Sequence, residues 1–209
     1  MLTQTELQNA LQKGLAEAQQ RKLQQAVVAV AGCGGLGSNA AAWLARLGVG
    51  HLLLIDFDKV EPGNLNRQYY FLEDIGRYKA EALRERLLRV NPYGDYQASI
   101  VKLTEQNIPR LLAKADIVCE ALDNAASKAM LVNGVISSLP DTKIVAASGL
   151  AGFGSGNEIR TRRLTRRLYI CGDGSSSIDA LPLCGARVGI AAAHQALTIA
   201  RLLLDLEEA

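Results

Sequence analysis

The 209-residue sequence predicts an α/β fold: a doubly wound, mainly parallel sheet flanked by helices, with a short antiparallel extension near the C-terminal end. Three observations predict it. Residues 27–31, 51–55, 116–122 and 143–148 are short apolar runs without alternation, as expected of parallel strands buried on both faces. Helix-forming stretches separate them, so strand and helix alternate along the chain. The first run opens straight into four crowded glycines, Gly32, Gly34, Gly35 and Gly37, and then into the Ala- and Leu-rich residues 38–47.

That unit, VVAVAGCGGLGSNAAAWLARLGVGHLLLIDFD, is strand, tight turn, helix and strand. Side-chain-free backbone admits a phosphate close to the N–H groups. The helix that follows directs its positive end at the same spot. Asp56, at the tip of the second strand, is placed to hydrogen-bond a ribose, with Asp58 beside it. The arrangement is Rossmann-like, and it suits a dinucleotide at least as well as ATP, so the turn alone does not choose between them.

Composition bounds the rest. An apolar content of 49% and a charged content of 21% exclude a largely disordered chain. A net charge of +2 makes no global demand for nucleic acid or membrane. No apolar run reaches the length of a membrane span, and residues 1–14 lack the basic start and apolar core of a secretion signal. Four scattered cysteines fit a reducing cytoplasm. The expected organisation is one domain over residues 1–209: an amphipathic helix over 3–25 in an N-terminal segment 1–25, a nucleotide-binding half over 26–148, and a remainder over 149–209.

After Asp58 comes KVEPGNLNRQYYFLEDIG, too long for an ordinary strand-to-helix loop and too aromatic to be disordered. It holds a polar cluster, Asn64, Asn66, Arg67 and Gln68, beside the expected nucleotide pocket. A triphosphate carries more negative charge than a helix end can match, and the planar fork of arginine suits the excess. Lys79 opens the next helix, over 78–90, and either adds a second cation or is a solvated first-turn lysine. An alternating strand over 96–103 and a short helix over 108–115 follow. The strand over 116–122 runs into Asp123 and Asn124, beyond the carboxyl end where ligands of such sheets bind. Asp123 can hold Mg2+ on phosphate oxygens or cap the helix over 125–138; Asn124 can take the capping role instead.

A glycine-rich loop over 149–156 precedes short strands over 157–164 and 167–172, a loop over 172–182, and a closing apolar helix over 187–206. Arg160, Arg162, Arg163, Arg166 and Arg167 form a basic patch that is either a charged edge resisting aggregation or a dock for an acidic macromolecule. His51 and His194 are expected to be structural. Cys33, Cys119, Cys171 and Cys184 contain no C-x-x-C pair, so no zinc site is expected.

From GCGGLGSNAAAWLARLGVGHLLLIDFDKVEPGNLNRQ through IGRYKAEAL, NP and ALDN to RVGIAAAHQA, the chain resembles the ThiF/MoeB/HesA family, bacterial relatives of ubiquitin-activating enzymes. With EALDNAASKAM, VAASGLAG and its compact size it is most similar to the second ThiF subfamily of thiamine biosynthesis. The resemblance implies an adenylyltransferase that uses ATP and Mg2+ on the C-terminal glycine of a small β-grasp sulfur-carrier protein. It implies that Gly35 and its neighbours approach the phosphates and that Asp56 binds the ribose. Asn64, Arg67 and Lys79 would contact the triphosphate and Asp123 the Mg2+. Asp58, Gln68 and Asn124, read from their positions in the sequence, are further candidates for binding the cofactor. A homodimer and a separate sulfur donor are expected alongside the resemblance; no membrane partner is expected, and a nucleic-acid partner is disfavoured. Arg21 is the candidate for a family arginine that reaches the partner subunit. Cys171 and Cys184 lie in the region where relatives carry a sulfur-transfer cysteine. Related adenylating enzymes of molybdopterin synthesis or tRNA modification, an NAD-dependent oxidoreductase and an inactive scaffold are the competing readings.

Overall fold

The computed structural model describes residues 2–177 and 179–206. Ile178, inside the loop expected over 172–182, and residues 207–209, the end of the expected domain, lie outside the described residues. Strands β1 (Val27–Ala31), β2 (His51–Ile55), β3 (Asp95–Ser99), β4 (Ile117–Glu120), β5 (Lys143–Ala147), β6 (Arg160–Arg163) and β7 (Leu168–Gly172) form one sheet in the order β3-β2-β1-β4-β5-β7-β6. Every pairing is parallel except β6 with β7. The chain moves outward from β1 to β3, then returns to lay β4 on the other side of β1. The crevice beyond the carboxyl ends of β1 and β4 is therefore the topological switch point.

The strand period sorts the core into two layers. Val28 and Val30 pack with α3 (Gly35–Arg46), α4 (Lys79–Leu88) and α7 (Gly185–Leu203) on one face. Ala29 and Ala31 face α5 (Ile108–Leu111) and α6 (Ala125–Ser138) on the other. Alanines dominate the inward side of α3, so α3 and α7 lie close together with Ala40, Ala41, Ala191 and Ala192 all buried. No helix among the described residues is long and apolar enough to cross a membrane.

Several expected boundaries change. The single N-terminal helix is two, α1 (Gln4–Leu11) and α2 (Glu17–Gln25), because Gly14 at φ 93° turns the chain between them. Leu23 is buried in the core, whereas Leu2 is exposed and Leu7, Leu11 and Leu15 are half-buried. The strand expected over 96–103 ends at Ser99, where its partner β2 also ends. Residues 156–158 form a 3-10 turn instead of beginning a strand. The closing helix starts at Gly185 and stops at Leu203. Cys171 sits in β7, within the strand expected there, and is fully buried.

Candidate active site

The glycine turn is built by close backbone approach. Gly32 has φ 94°, and a Cβ there would lie 2.6 Å from the Ala121 carbonyl oxygen, so β1 and the end of β4 meet without side chains between them. A Cβ at Gly37 would overlap the Gly32 carbonyl. Gly34 is the N-cap of α3 and supplies no side-chain hydrogen bond to the first turn. The N–H groups of that turn, with the helix dipole behind them, are left to an anion.

The segment after β2 folds back over this turn. Asn39 Nδ2 donates to Gly35 O (2.7 Å) and to Arg67 O (2.9 Å), and Ser38 Oγ accepts from the Tyr69 N–H (2.9 Å). The Tyr70 hydroxyl donates to Cys33 O at 2.8 Å and lies 3.1 Å from Lys79 O. A Cβ on Gly35 would stand 3.4 Å from Arg67 Cγ, and one on Gly34 would stand 3.8 Å from Gln68 Nε2. Arg67 Nη1 donates to Gly63 O and to Asn66 Oδ1. Gln68 is 9% exposed, and its Oε1 is buried without a hydrogen-bond partner. Asn64 does local work: its Oδ1 accepts the Glu61 N–H at 3.1 Å and shapes the 3-10 turn.

At the end of β2, Asp56 is tied to the glycine turn. Its two carboxylate oxygens accept the N–H of Cys33 (2.7 Å) and of Asp58 (2.8 Å). Burial pushes its carboxyl above the ordinary range, while those N–H groups and the Lys79 ammonium pull the other way. Lys79 is not the solvated lysine of the bland alternative: it is 8% exposed, and its Nζ lies 2.9 Å from Asp58 Oδ2. Its charge is therefore held at the glycine turn.

At the end of β4 the two capping options separate. Asn124 Oδ1 accepts the Ser127 N–H at 2.8 Å and caps α6, and its Nδ2 donates to Asp123 Oδ1 at 3.0 Å. Asp123 stays exposed, two residues beyond the Ala121 carbonyl that touches Gly32. A single carboxylate completed by phosphate oxygens and water is how Mg2+ is commonly held, so this residue fits that ion.

The first turn of α7 also reaches the site. Gly185 packs on the backbone of Asn66 and Arg67, and Val188 on Gly35. Cys184, half-buried at the N-cap of α7, is thereby adjacent to the polar cluster. Cys33 and Cys119 are fully buried, and burial raises both thiols. Arg21 pairs with Glu17 on the exposed side of α2.

A family model described as the ThiF family matches residues 7–208. The chain belongs to the ThiF family. It is 34% identical over 194 residues to the sulfur carrier protein ThiS adenylyltransferase of Escherichia coli (strain K12), covering 90% of this chain and 76% of that one. Against the adenylyltransferase and sulfurtransferase uba4 of Aspergillus clavatus it is 37% identical over 132 residues, 63% of this chain and 26% of that protein. This ThiF-family chain thus spans about a quarter of the longer relative. Among solved structures, E. coli tRNA N6-threonylcarbamoyladenosine dehydratase, TcdA, in complex with ATP superposes with TM-score 0.86 at 20% identity, covering 94% of this chain and 93% of that one. E. coli MccB gives TM-score 0.70 at 24% identity, covering 91% and 59%. At these identities the structural likeness shows the shared fold.

Glu120, Lys128 and Gln195 are absent from the residues expected from the sequence. Glu120 is buried at the end of β4, both its oxygens 3.0 Å from Lys128 Nζ, and Gln195 Nε2 donates to its carbonyl at 2.8 Å. The signal was present: a carboxylate inside an apolar strand needs a counter-charge, and Lys128 lies on the helix that follows.

Proposed function

We propose that this ThiF-family chain catalyses ATP-dependent adenylation of the C-terminal glycine carboxylate of a small β-grasp sulfur-carrier protein, of the ThiS type, for thiamine thiazole synthesis. The observation that carries the reading is the buried Lys79 at the glycine turn, paired with Asp58 and close to Asp56. A triphosphate carries more negative charge than a dinucleotide's pyrophosphate, so it calls more strongly for a cation in that place. The likeness to the E. coli ThiS adenylyltransferase supports the carrier and the pathway.

The attacking group is a terminal carboxylate with pKa ~3.5, already an ionised nucleophile at neutral pH, so no general base is needed. The chain's task is alignment and charge neutralisation. The α3 N-terminus and Gly34–Gly35 receive phosphate oxygens, and Asp56 accepts from the ribose with the lone pairs its two N–H partners leave. Lys79 and Arg67 neutralise the charge that grows on the departing pyrophosphate. Asp123 is the residue that would hold Mg2+, which when bound supplies further charge neutralisation at the phosphates. The resulting acyl-adenylate leaves the carboxyl activated for a sulfur donor.

Two surfaces support the finer partners. Trp43 on α3 and Ile190 and Leu197 on α7 are exposed, and with Tyr69 they suit an isologous homodimer. The domain remainder over 149–209 serves carrier binding in this reading, and the enzyme works in the cytoplasm. The basic patch narrows. Arg167 is committed to carbonyls, donating to Ile136 O (2.9 Å) and Leu139 O (2.8 Å) at the end of α6. Arg163 lies over the Tyr169 ring. Because β6 runs antiparallel to its neighbour, Arg160 and Arg162 lie nearest the catalytic edge of the sheet and are the arginines suited to an acidic carrier. Incubation with ATP and candidate carriers, followed by weighing the carriers by mass spectrometry, tests the function: one of them gains the mass of an AMP or is consumed as its adenylate. If none changes, the assignment to carrier activation fails.

A further inference from the structure

Glu120 ends β4 in register with Ala31, the residue before Gly32. It is 1% exposed. Its Oε1 accepts the Leu122 N–H at 2.8 Å, inside the turn that leads to Asp123. Both of its oxygens accept from Lys128 Nζ at 3.0 Å, and the same ammonium donates to Ala147 O, the last residue of β5, at 3.2 Å. Gln195, fully buried on α7, donates to the carbonyls of Glu120 (2.8 Å) and Val145 (3.1 Å). One carboxylate and one ammonium thus fix the ends of β4 and β5, the 121–124 turn and the first turns of α6 to each other. Burial pushes the Glu120 carboxyl above its ordinary range, and the Lys128 ammonium is the leading influence in the opposite direction.

We propose that the buried Glu120–Lys128 pair is a positioning device: it touches no nucleotide and sets where Asp123 presents its carboxylate over the glycine turn. The turn between Glu120 and Asn124 is short, and its Ala121 carbonyl already lies against Gly32. The only side-chain acceptor of an N–H within that turn is Glu120 Oε1 at Leu122, among the described residues. Loss of the pair therefore loosens Asp123 while leaving the Gly34–Gly35 phosphate turn and the Asp58–Lys79 pair in place. The inference rests on the adenylation reading, in which Asp123 holds Mg2+.

The test is the factor by which Mg2+ strengthens ATP binding, measured by calorimetry with and without the ion. Lys128→Met should cut that factor about tenfold or more, the scale on which supporting partners of a metal ligand act. ATP affinity without Mg2+ should hold, and Lys128→Arg should restore most of the loss. Lys128→Met leaves Glu120 buried without its counter-charge and can unfold the chain, so Glu120→Gln/Lys128→Met, which removes both charges, is made alongside it. In an Asp123→Asn background the same substitutions should have no further effect, since they act through Asp123. Additive losses in that cycle, or an unchanged Mg2+ factor in a folded variant, overturn the proposal alone. A parent protein whose ATP affinity ignores Mg2+ overturns the Asp123 assignment and the proposal with it.

Discussion

Lys79 Nζ sits 2.9 Å from Asp58 Oδ2, and the Lys79 N–H donates to the Asp58 carbonyl at the same distance. The lysine is buried and the aspartate half-exposed, so the carboxylate holds the ammonium at the pocket wall. Lys79→Met should lower adenylation by ~10²–10³, the cost of removing one transition-state stabiliser. Asp58→Asn should cost less, about tenfold, because the backbone contact keeps Lys79 in place. Steady-state pyrophosphate exchange by both variants checks the order; equal losses would mean that Asp58 acts on the nucleotide directly.

Asp123→Asn isolates the second charge. Asn and Asp rank together as helix caps, and α6 is already capped by Asn124. Thermal stability should therefore stay near that of the parent while exchange falls by ~2.7–4 kcal/mol of barrier. Near-normal exchange by the folded variant would remove Asp123 from the mechanism.

Arg187 is a stability residue. It is 4% exposed, and its guanidinium bonds Asp173 (2.7 Å), Glu158 (3.1 Å) and the Ser155 carbonyl (2.7 Å), pinning the glycine-rich loop to α7. Arg187→Met should cost ~3–5 kcal/mol, the range for breaking a buried pair from one side. Burial pushes the Asp173 carboxyl up, but donors from Ser176, Ser175 and Arg187 outweigh it and hold the group well below the ordinary range. A depressed folded pKa contributes stability above the unfolded value of about 4, lost as pH falls below it. Thermal melts from neutral pH to about pH 3 should show that loss. Asp173→Asn should start less stable and have a shallower acid limb; parallel curves would assign the acid sensitivity elsewhere.

The narrowed basic patch gives a contrast. Charge reversal at Arg160 and Arg162 should weaken carrier binding, more so at low salt, with ATP affinity unchanged. Reversal at Arg167 should lower the melting temperature, because it uncaps α6. Carrier affinity that tracks Arg167 instead would place the dock at the opposite edge of the sheet.

The thiols give a further outcome. Cys171→Ala and Cys184→Ala should both retain pyrophosphate exchange, since a carboxylate is the nucleophile, and metal analysis of the protein should find no stoichiometric zinc. Loss of exchange in a folded Cys184→Ala protein would tie the α7 N-cap to the adenylation step.

The parts of this fold legible in the sequence are those in which one local rule dominates. Val27–Ala31 and His51–Ile55 are unbroken apolar runs, and the glycines that follow the first of them need no partner to be interpreted. Helix α6 begins as expected because Asn124 caps it, and it ends at Ser138, before Pro140. The N-terminal pair was not legible: its break depends on one glycine in an amphipathic pattern that continues through it. Glu120 and Lys128 were hidden for another reason. They lie eight residues apart on different elements, and only the packing of α6 on β4 joins them. The burial of Lys79 likewise needs the return of the 59–78 segment, which leaves no periodic mark.

In the proposed reaction this site transfers AMP to a protein carboxylate. The decisive measurement is exchange of labelled pyrophosphate into ATP, with and without a ThiS-type carrier. Exchange should appear only with the carrier, disappear when the carrier's terminal glycine is removed, and drop steeply in Lys79→Met. Tight NAD binding with no carrier-dependent exchange would contradict it.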